Sequence, residues 1–344
     1  MELVRPMVAS PNDSPSSPPA TAPADPARDP RLDPPLDPIV AAILREAAAV
    51  PRLDPTTTPL DRQRRAVEMA AHAWNDPPVP LARVEALEVP TPWGAMRARL
   101  YVAEDAATDR AILYAHGGGW TFGSVDTHDG VTRRLAVAAR RPVLSIDYRL
   151  APEHPYPAPV EDAAAGLAFL EHGGLGAPIA PGRLTVAGDS AGAQTVAALL
   201  LARRDAGLPA LAAGLLFYGC FAPDFDTASH RAFGRDEGFL LASERMRWYW
   251  ANHLGPRAGA PGHAAVLRAS LHDLPPLFLD AASHDPLRDD TLRLAEGLAA
   301  AGVPHRLRIT PGVVHGHLRF ASRLPAANET LAAAAAFLDE IEAA

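Results

Sequence analysis

Residues 184–192 read Leu-Thr-Val-Ala-Gly-Asp-Ser-Ala-Gly, a short apolar run followed by a serine between two glycines. The apolar run is typical of a buried strand, and the alanine- and leucine-rich residues from Ala191 onward are typical of a helix. A serine on such a turn fits a nucleophile elbow, because the strained backbone admits only small neighbours and the helix dipole favours negative charge there. A serine that merely caps the helix is the alternative. We predict that Ser190 is a nucleophile.

Strand and helix signals alternate along most of the chain on both sides of this motif. Apolar runs of strand length occur at residues 110–115, 142–146, 184–187, 211–218, 277–281 and 303–309. Helical patterns occur at residues 130–139, 160–170, 191–206, 290–301 and 329–342, and residues 84–102 indicate a strand, a turn and a second strand. This alternation predicts an α/β fold whose mostly parallel central sheet is covered by helices on both faces.

Three segments differ from this pattern. Residues 1–36 form a proline-rich stretch that buries too little apolar surface to fold, so we predict a disordered tail, with a ligand for a partner domain as the alternative. Residues 37–80 contain two helical patterns and predict an N-terminal cap. Residues 221–269 are rich in Trp, Tyr and Phe and predict a helical cap inserted into a main domain of residues 81–344.

The composition excludes several classes of protein. The chain has 344 residues, 48% of them hydrophobic, and its formal net charge of −8 lacks the excess of Lys and Arg that nucleic-acid binding requires. Its single cysteine, Cys220, excludes an internal disulfide framework and a multi-cysteine zinc site. No apolar run reaches membrane-spanning length and no signal peptide is evident, so the expected location is the cytoplasm.

A second glycine-rich motif, His-Gly-Gly-Gly-Trp at residues 116–120, directly follows the apolar run at 110–115. Glycines after a strand let backbone N–H groups turn toward a bound carbonyl oxygen, as in an oxyanion hole. A phosphate-binding loop is the competing interpretation, but neither Gly-Lys-Ser/Thr nor GxGxxG is present. His116 precedes the serine, so we interpret it as a residue that holds the loop by hydrogen bonds rather than as a general base.

A serine nucleophile also needs a general base, which follows the serine and an acidic residue in chains with such an elbow. Three histidines lie late in the chain. His305 starts a predicted strand among arginines and is expected at the surface. His315 lies in the glycine-containing loop 311–316 after the last predicted strand, and His317 is two residues away. We predict His315 as the base and keep His317 as the alternative.

The carboxylate that orients the base is predicted from the strand at 277–281. Asp285 lies just beyond the carboxyl end of this strand, where the functional residues of open α/β sheets gather. Asp280 is still inside the strand, and Asp289 and Asp290 fit the first turn of the next helix, where the dipole favours carboxylates. Asp285 is therefore the predicted acid.

Together these motifs resemble the hormone-sensitive lipase family of α/β-hydrolase esterases, also called bacterial family IV. The matching stretches are HGGGW at 116–120, DYRLAPEHPYPAPVEDA at 147–163, GDSAG at 188–192, DPLRDD at 285–290 and HG at 315–316. The resemblance implies an α/β-hydrolase fold and a triad. In this triad Ser190 attacks an ester carbonyl, His315 transfers the proton and Asp285 orients the histidine.

The resemblance also implies the remaining groups of the site. The backbone N–H groups of Gly118, Gly119 and Ala191 would form the oxyanion hole, with Gly117 as a substitute. An acyl-enzyme on Ser190 would then be hydrolysed by water, and no metal or organic cofactor is implied. Three flanking residues are predicted to contact the substrate: His116, Trp120 and Asp189.

The sequence departs from the family pattern in two places. Ala193 and Gln194 follow GDSAG where the family usually has a further glycine, and the extra methyl group would tighten the elbow. His317 stands where the family usually has phenylalanine, which places a titratable ring beside the predicted base.

The resemblance implies a carboxylic-ester hydrolase, and the aromatic cap favours esters with short to medium acyl chains. A deacetylase of sugars or small metabolites and an amidase or carbamate hydrolase remain alternatives. From a different class, the same scaffold would serve a non-catalytic ligand receptor, which is expected to lose a triad residue. A third interpretation makes the chain a protein-interaction module that acts through its proline-rich tail. The expected partner is a small-molecule ester and not a nucleic acid, and a homodimer is left open.

Overall fold

The computed structural model describes residues 34–50, 57–256 and 262–343, so the predicted disordered tail lies outside the described residues except for its last three. Within these ranges eight strands form one sheet: β1 Arg83–Thr91, β2 Gly94–Val102, β3 Ala111–Ala115, β4 Val143–Ile146, β5 Leu184–Asp189, β6 Ala213–Phe217, β7 Leu277–His284 and β8 His305–Val314. Their order across the sheet is β1-β2-β4-β3-β5-β6-β7-β8.

The sheet is antiparallel at one edge and parallel elsewhere. β1 and β2 form a hairpin, and β2 also runs antiparallel to β4. From β4 through β3, β5, β6 and β7 to β8, every neighbouring pair is parallel. Strands β3, β5 and β6 are buried along their whole length, as expected for parallel strands covered on both faces. The carboxyl ends of the parallel strands therefore meet at one edge, where sites in such sheets are found.

Nine α-helices surround the sheet in the described ranges: α1 Pro38–Ala49, α2 Leu60–Asn75, α3 Asp129–Ala139, α4 Ala158–Glu171, α5 Ala191–Asp205, α6 Ala228–Phe233, α7 Ser243–Leu254, α8 Arg288–Ala300 and α9 Pro325–Ala343. Side chains of α4, α5 and α8 form one hydrophobic cluster with the sheet, and those of α1, α3 and α9 form another. The predicted α/β class is confirmed. None of these helices is long and apolar enough to cross a bilayer.

The last two strands are longer than the sequence predicted. β7 continues to His284 instead of residue 281, and β8 continues to Val314 instead of residue 309. The pairing between them is irregular in this added part, which contains Pro311 and Gly312. An irregular stretch of an edge strand accommodates a proline because no regular ladder bond is lost there. The proline and glycine were predicted to end the strand, but they do not. Most of the expected loop 311–316 is therefore strand.

The two helices predicted in the N-terminal segment are present. Asp37 caps α1, since its side chain accepts a hydrogen bond from the Ile39 N–H (2.7 Å) and Pro38 occupies the first turn. Leu36 is buried in the cluster that contains α1. Helices α6 and α7 likewise lie within the aromatic-rich segment 221–269. The division of the chain into tail, caps and catalytic domain stays a prediction.

Candidate active site

Ser190 stands on the turn between β5 and α5. Its φ of +54° and ψ of −119° form a conformation that L residues rarely adopt. A Cβ at Gly192 would lie 2.0 Å from the Ala115 carbonyl oxygen, and one at Gly188 would lie 2.5 Å from the carbonyl carbon of Gly192. A larger residue at Gly192 would therefore collide with the end of β3, and one at Gly188 would collide with the first turn of α5. The two glycines thus hold the Ser190 hydroxyl at the carboxyl edge of the sheet.

The side chains of His315 and Asp285 continue a line of hydrogen bonds from Ser190. Ser190 Oγ lies 2.9 Å from His315 Nε2, and His315 Nδ1 lies 2.7 Å from Asp285 Oδ2. The other carboxylate oxygen, Asp285 Oδ1, accepts a hydrogen bond from the Leu287 N–H (2.8 Å). Asp285 is fully buried, whereas 14% of the His315 side chain is exposed. With its Nδ1–H donated to the carboxylate, His315 presents Nε2 as the acceptor for the serine proton.

Three backbone N–H groups in the two glycine-rich motifs have no acceptor. Among the described residues, nothing accepts a hydrogen bond from the N–H of Gly118, Gly119 or Ala191. Unpaired donors in a largely buried loop are costly, so this arrangement fits donors kept for a developing negative charge. The Gly117 N–H differs, because it donates to Asp189 Oδ1 (2.8 Å). The prediction of Gly117 as a substitute oxyanion donor is therefore wrong.

Comparison with known proteins agrees with this geometry. Residues 112–319 match the family described as alpha/beta hydrolase fold. The chain belongs to this family. Esterase LipI of Mycobacterium tuberculosis is 42% identical over 261 residues, which are 73% of this chain and 79% of that protein. Carboxylesterase NlhH of the same species is 41% identical over 227 residues, which are 63% of this chain and 69% of that protein.

Solved esterases share the architecture of this α/β-hydrolase. A hyperthermophilic esterase from the archeon Pyrobaculum calidifontis superposes with a TM-score of 0.84 at 33% sequence identity, covering 90% of this chain and 100% of that one. An esterase from the bacterial hormone-sensitive lipase family superposes with a TM-score of 0.76 at 33% identity, covering 91% and 99% of the two chains. The predicted α/β-hydrolase fold, hormone-sensitive-lipase-like family and carboxylesterase class are confirmed.

The three residues predicted to contact the substrate of this α/β-hydrolase are buried behind its site. Asp189 is 2% exposed, and His116 and Trp120 are not exposed at all. The burial of these three side chains does not favour direct contact with a substrate, and their role stays a prediction. The sequence placed them beside the catalytic motifs correctly, but the direction of each side chain depends on contacts with distant segments.

Asp189 connects the nucleophile strand to the loop 116–120. Its Oδ1 accepts hydrogen bonds from the Tyr114 hydroxyl (2.7 Å) and the Gly117 N–H (2.8 Å), and His128 Nε2 lies 3.4 Å away. Burial alone would raise the pKa of Asp189, but His128 and these hydrogen bonds outweigh burial and hold that pKa well below its usual range. Asp189 is thus a buried anion that holds the Gly117 N–H.

His116 and Trp120 hold the two ends of the same loop. His116 Nδ1 donates to the Gly117 carbonyl oxygen (2.8 Å), and its ring stacks on Tyr148 with the centroids 4.3 Å apart. Burial lowers the pKa of His116 to about 4, so the ring is neutral near pH 7. Trp120 stacks on His253 of α7 at 3.9 Å between centroids. These contacts fit the interpretation of His116 as a residue that holds the loop, which stays a prediction.

Gln194, one of the departures from the family pattern, is the polar partner of Trp120. The indole Nε1–H of Trp120 donates to Gln194 Oε1 (3.0 Å), and Gln194 Nε2 donates to the Ala264 carbonyl oxygen (2.9 Å). Ala193 is fully buried in a hydrophobic cluster, so its methyl group packs without opening the elbow. The sequence marked both positions as unusual but did not reveal that Gln194 supports the loop 116–120 through Trp120.

Aromatic side chains of α7 cover this loop from the other side. A Cβ at Gly119 would lie 2.3 Å from the ring of Tyr249, so this ring lies directly against the Gly119 backbone. Phe122 packs against Trp248 and Tyr249, with ring centroids 6.1 and 6.0 Å apart. Ser190 is only 7% exposed. The aromatic side chains of α7 therefore cover residues 119–122 beside Ser190.

His317, the alternative base, lies buried below the site. Neither of its ring nitrogens has a hydrogen-bond partner among the described residues, and Nε2 is 3.6 Å from Asp280 Oδ2, beyond hydrogen-bond length. Burial lowers the pKa of His317 to about 3, with smaller contributions from His315 and Arg308. The described ranges contain no group of three or more His, Cys, Asp or Glu side chains suited to a metal ion. His317 and Asp280 are therefore not part of such a group.

The buried carboxyl group of Asp280 predicts a pH-dependent stability. Burial raises its pKa to about 7, although Thr310 donates its hydroxyl hydrogen to Oδ1 (2.6 Å). Because the folded-state pKa is raised, the stabilising contribution is complete below about pH 4 and is lost as the pH rises through 7. The Tm of Asp280→Asn minus the Tm of wild type should therefore be about 2–4 °C more positive at pH 8 than at pH 5. Thermal unfolding followed by circular dichroism measures both differences.

The exposed carboxylate of Asp226 provides the control for this prediction. Asp226→Asn is expected to change Tm equally at the two pH values. A difference for Asp280→Asn that stays constant or shrinks toward pH 8 would show that Asp280 does not limit stability.

Proposed function

We propose that this α/β-hydrolase cleaves carboxylic esters through a covalent intermediate on Ser190. The observation that carries the proposal is the unbroken line of hydrogen bonds from Ser190 Oγ through the His315 ring to the buried Asp285 carboxylate. The three unpaired N–H groups of the glycine-rich motifs support it, since an ester becomes negatively charged at its carbonyl oxygen during attack.

In the first half of the reaction, Ser190 Oγ attacks the ester carbonyl carbon while His315 Nε2 takes the hydroxyl proton. The N–H groups of Gly118, Gly119 and Ala191 donate to the resulting oxyanion. The Asp285 carboxylate stabilises the imidazolium of His315. Collapse of the tetrahedral intermediate breaks the bond to the alcohol, which leaves with the proton from Nε2.

In the second half, water takes the place of the alcohol. His315 Nε2 accepts a proton from this water as its oxygen attacks the acyl carbon on Ser190. The same three N–H groups stabilise the second oxyanion. Its collapse breaks the bond between the acyl carbon and Ser190 Oγ and returns the proton to the serine, so the carboxylic acid is released and the site is restored.

Short to medium acyl chains suit this site best. Tyr249, Trp248 and Phe122 lie together beside Gly119, and such a cluster of bulky rings next to Ser190 favours a short acyl chain over a long one. Deacetylation or amide cleavage would use the same groups, and the names of the relatives favour esters. A non-catalytic receptor is disfavoured because Ser190, His315 and Asp285 are all in hydrogen-bonding positions. The cytoplasmic location stays a prediction, and a homodimer stays open.

The activity is tested with p-nitrophenyl esters from acetate to laurate. We expect kcat/KM to be highest at or below octanoate and to fall toward laurate. Diethyl p-nitrophenyl phosphate should transfer one diethylphosphoryl group to the wild-type protein, as measured by intact mass. The same reagent should leave Ser190→Ala unlabelled. A folded wild-type protein that neither hydrolyses any of these esters nor takes the label would overturn the proposal and favour a receptor.

A further inference from the structure

The side chain of Arg64, on helix α2 of the N-terminal segment, contacts the oxyanion loop, which comprises residues 116–121. Its Nε donates to the Thr121 carbonyl oxygen (2.9 Å), and one terminal nitrogen donates to the Ala151 carbonyl oxygen (3.0 Å). The two terminal nitrogens also form a bidentate pair with Glu153, at 2.8 Å each. A single guanidinium thus joins three segments that are distant in the sequence.

The two carbonyl groups that Arg64 binds flank the strained part of the loop. Trp120 has a φ of +56°, in the left-handed region that costs energy for a residue with a side chain. The Ala151 N–H donates to the Trp120 carbonyl oxygen (2.8 Å), and the Thr121 hydroxyl donates to that of Gly119 (3.0 Å). Such a conformation persists only where the surroundings hold it, and Arg64 binds both neighbouring segments.

We propose that Arg64 is a positioning residue for the oxyanion hole, through which helix α2 supports the catalytic rate. Arg64 touches neither substrate nor nucleophile; it acts by keeping the N–H groups of Gly118 and Gly119 directed at the oxyanion. The rigid planar guanidinium suits this task because its donors reach two carbonyl oxygens and a carboxylate at once, which an ammonium group does not reproduce. The inference rests on the proposed esterase activity.

The neighbouring arginine on the same helix provides a matched control. Arg65 is 68% exposed, and its one ion-pair partner among the described residues is Asp61, one turn earlier on α2. Arg64→Gln and Arg65→Gln remove the same charge from the same helix, but only the first removes the contacts with the loop. Arg64→Lys keeps the charge without the fork, and Glu153→Gln weakens the ion pair while leaving both carbonyl contacts in place.

The measurement is the hydrolysis of p-nitrophenyl acetate per active site. Active sites are counted by complete reaction with diethyl p-nitrophenyl phosphate, so that a partly unfolded preparation does not count as a slow enzyme. We expect Arg64→Gln to lower kcat by about 10- to 100-fold, because small displacements of positioned groups have effects of this size, with KM changed less than about threefold. Arg64→Lys should lie between Arg64→Gln and wild type. The kcat of Arg65→Gln should equal that of wild type. The kcat of Glu153→Gln should fall less than that of Arg64→Gln.

A trifluoromethyl ketone separates positioning from general stability. Serine attacks the carbonyl carbon of the free ketone, which is in equilibrium with its hydrate, and the adduct is an oxyanion. The affinity of the ketone should therefore fall for Arg64→Gln in parallel with kcat/KM. Equal kcat per site in Arg64→Gln and Arg65→Gln would overturn the inference, as would a loss in KM alone. A wild-type protein without activity or labelling would instead overturn the proposed function.

Discussion

Replacing His315 by alanine is expected to lower kcat/KM for p-nitrophenyl acetate by about 10⁴- to 10⁶-fold. Without the ring at 2.9 Å from Ser190 Oγ, no group accepts the serine proton during attack and none protonates the leaving alcohol. The effect should fall on kcat, since the contacts of the bound ester remain. Steady-state hydrolysis of p-nitrophenyl acetate, normalised to folded protein by circular dichroism, measures the loss.

The control for this prediction is His317→Phe, which introduces the residue that the family usually has at this position. The His317 ring is fully buried, and neither of its nitrogens has a hydrogen-bond partner among the described residues. An apolar ring of similar size should therefore change kcat/KM less than about threefold and raise Tm, because a desolvated polar group is removed. If His317→Phe lost as much activity as His315→Ala, the base would have to be reassigned to His317.

The positions of the three triad residues could be predicted because each follows the carboxyl end of a parallel strand. Ser190 follows β5, Asp285 follows β7 and His315 follows β8, and such ends meet at one edge of the sheet. The predicted end of β8 was five residues too early, but this did not affect the prediction of His315. A longer strand still ends at the same edge of the sheet, so the residue after it lies at that edge. The order of the strands and the type of motif were therefore sufficient to predict where these three residues lie.

The contacts that orient the oxyanion loop could not be predicted in the same way. The Gly117 N–H turns toward Asp189, which lies 72 residues further along the chain, and nothing in a run of three glycines shows which N–H is already used. Helix α2 was predicted from its periodicity, but Arg62, Arg64 and Arg65 are equivalent in a sequence pattern. Only the packing of the helix against the loop distinguishes Arg64 from its neighbours.

Replacing Asp285 by asparagine is expected to lower kcat by about 10⁴-fold with little change in KM. Asp285 Oδ1 accepts the Leu287 N–H, and Oδ2 faces His315 Nδ1. In the variant, the amide oxygen should keep the bond with Leu287, which leaves the NH₂ group toward the histidine. This NH₂ would donate to Nδ1 and place the ring hydrogen on Nε2, so His315 could no longer accept the serine proton. Initial rates with p-nitrophenyl acetate measure the loss.

Asp289→Asn is the matched control, because Asp289 lies in the first turn of α8, close to Asp285 in the sequence, and likewise accepts a hydrogen bond from a backbone N–H, that of Ser229 at 2.9 Å. Asp289→Asn makes the same change in charge and shape a few residues from Asp285. The Asp289 carboxylate, however, does not face His315. We expect kcat to change less than about threefold. If Asp285→Asn were no slower than Asp289→Asn, the nearby negative charge and the tautomer of His315 would not matter, and the carboxylate could not have the role that its hydrogen bond to Nδ1 indicates.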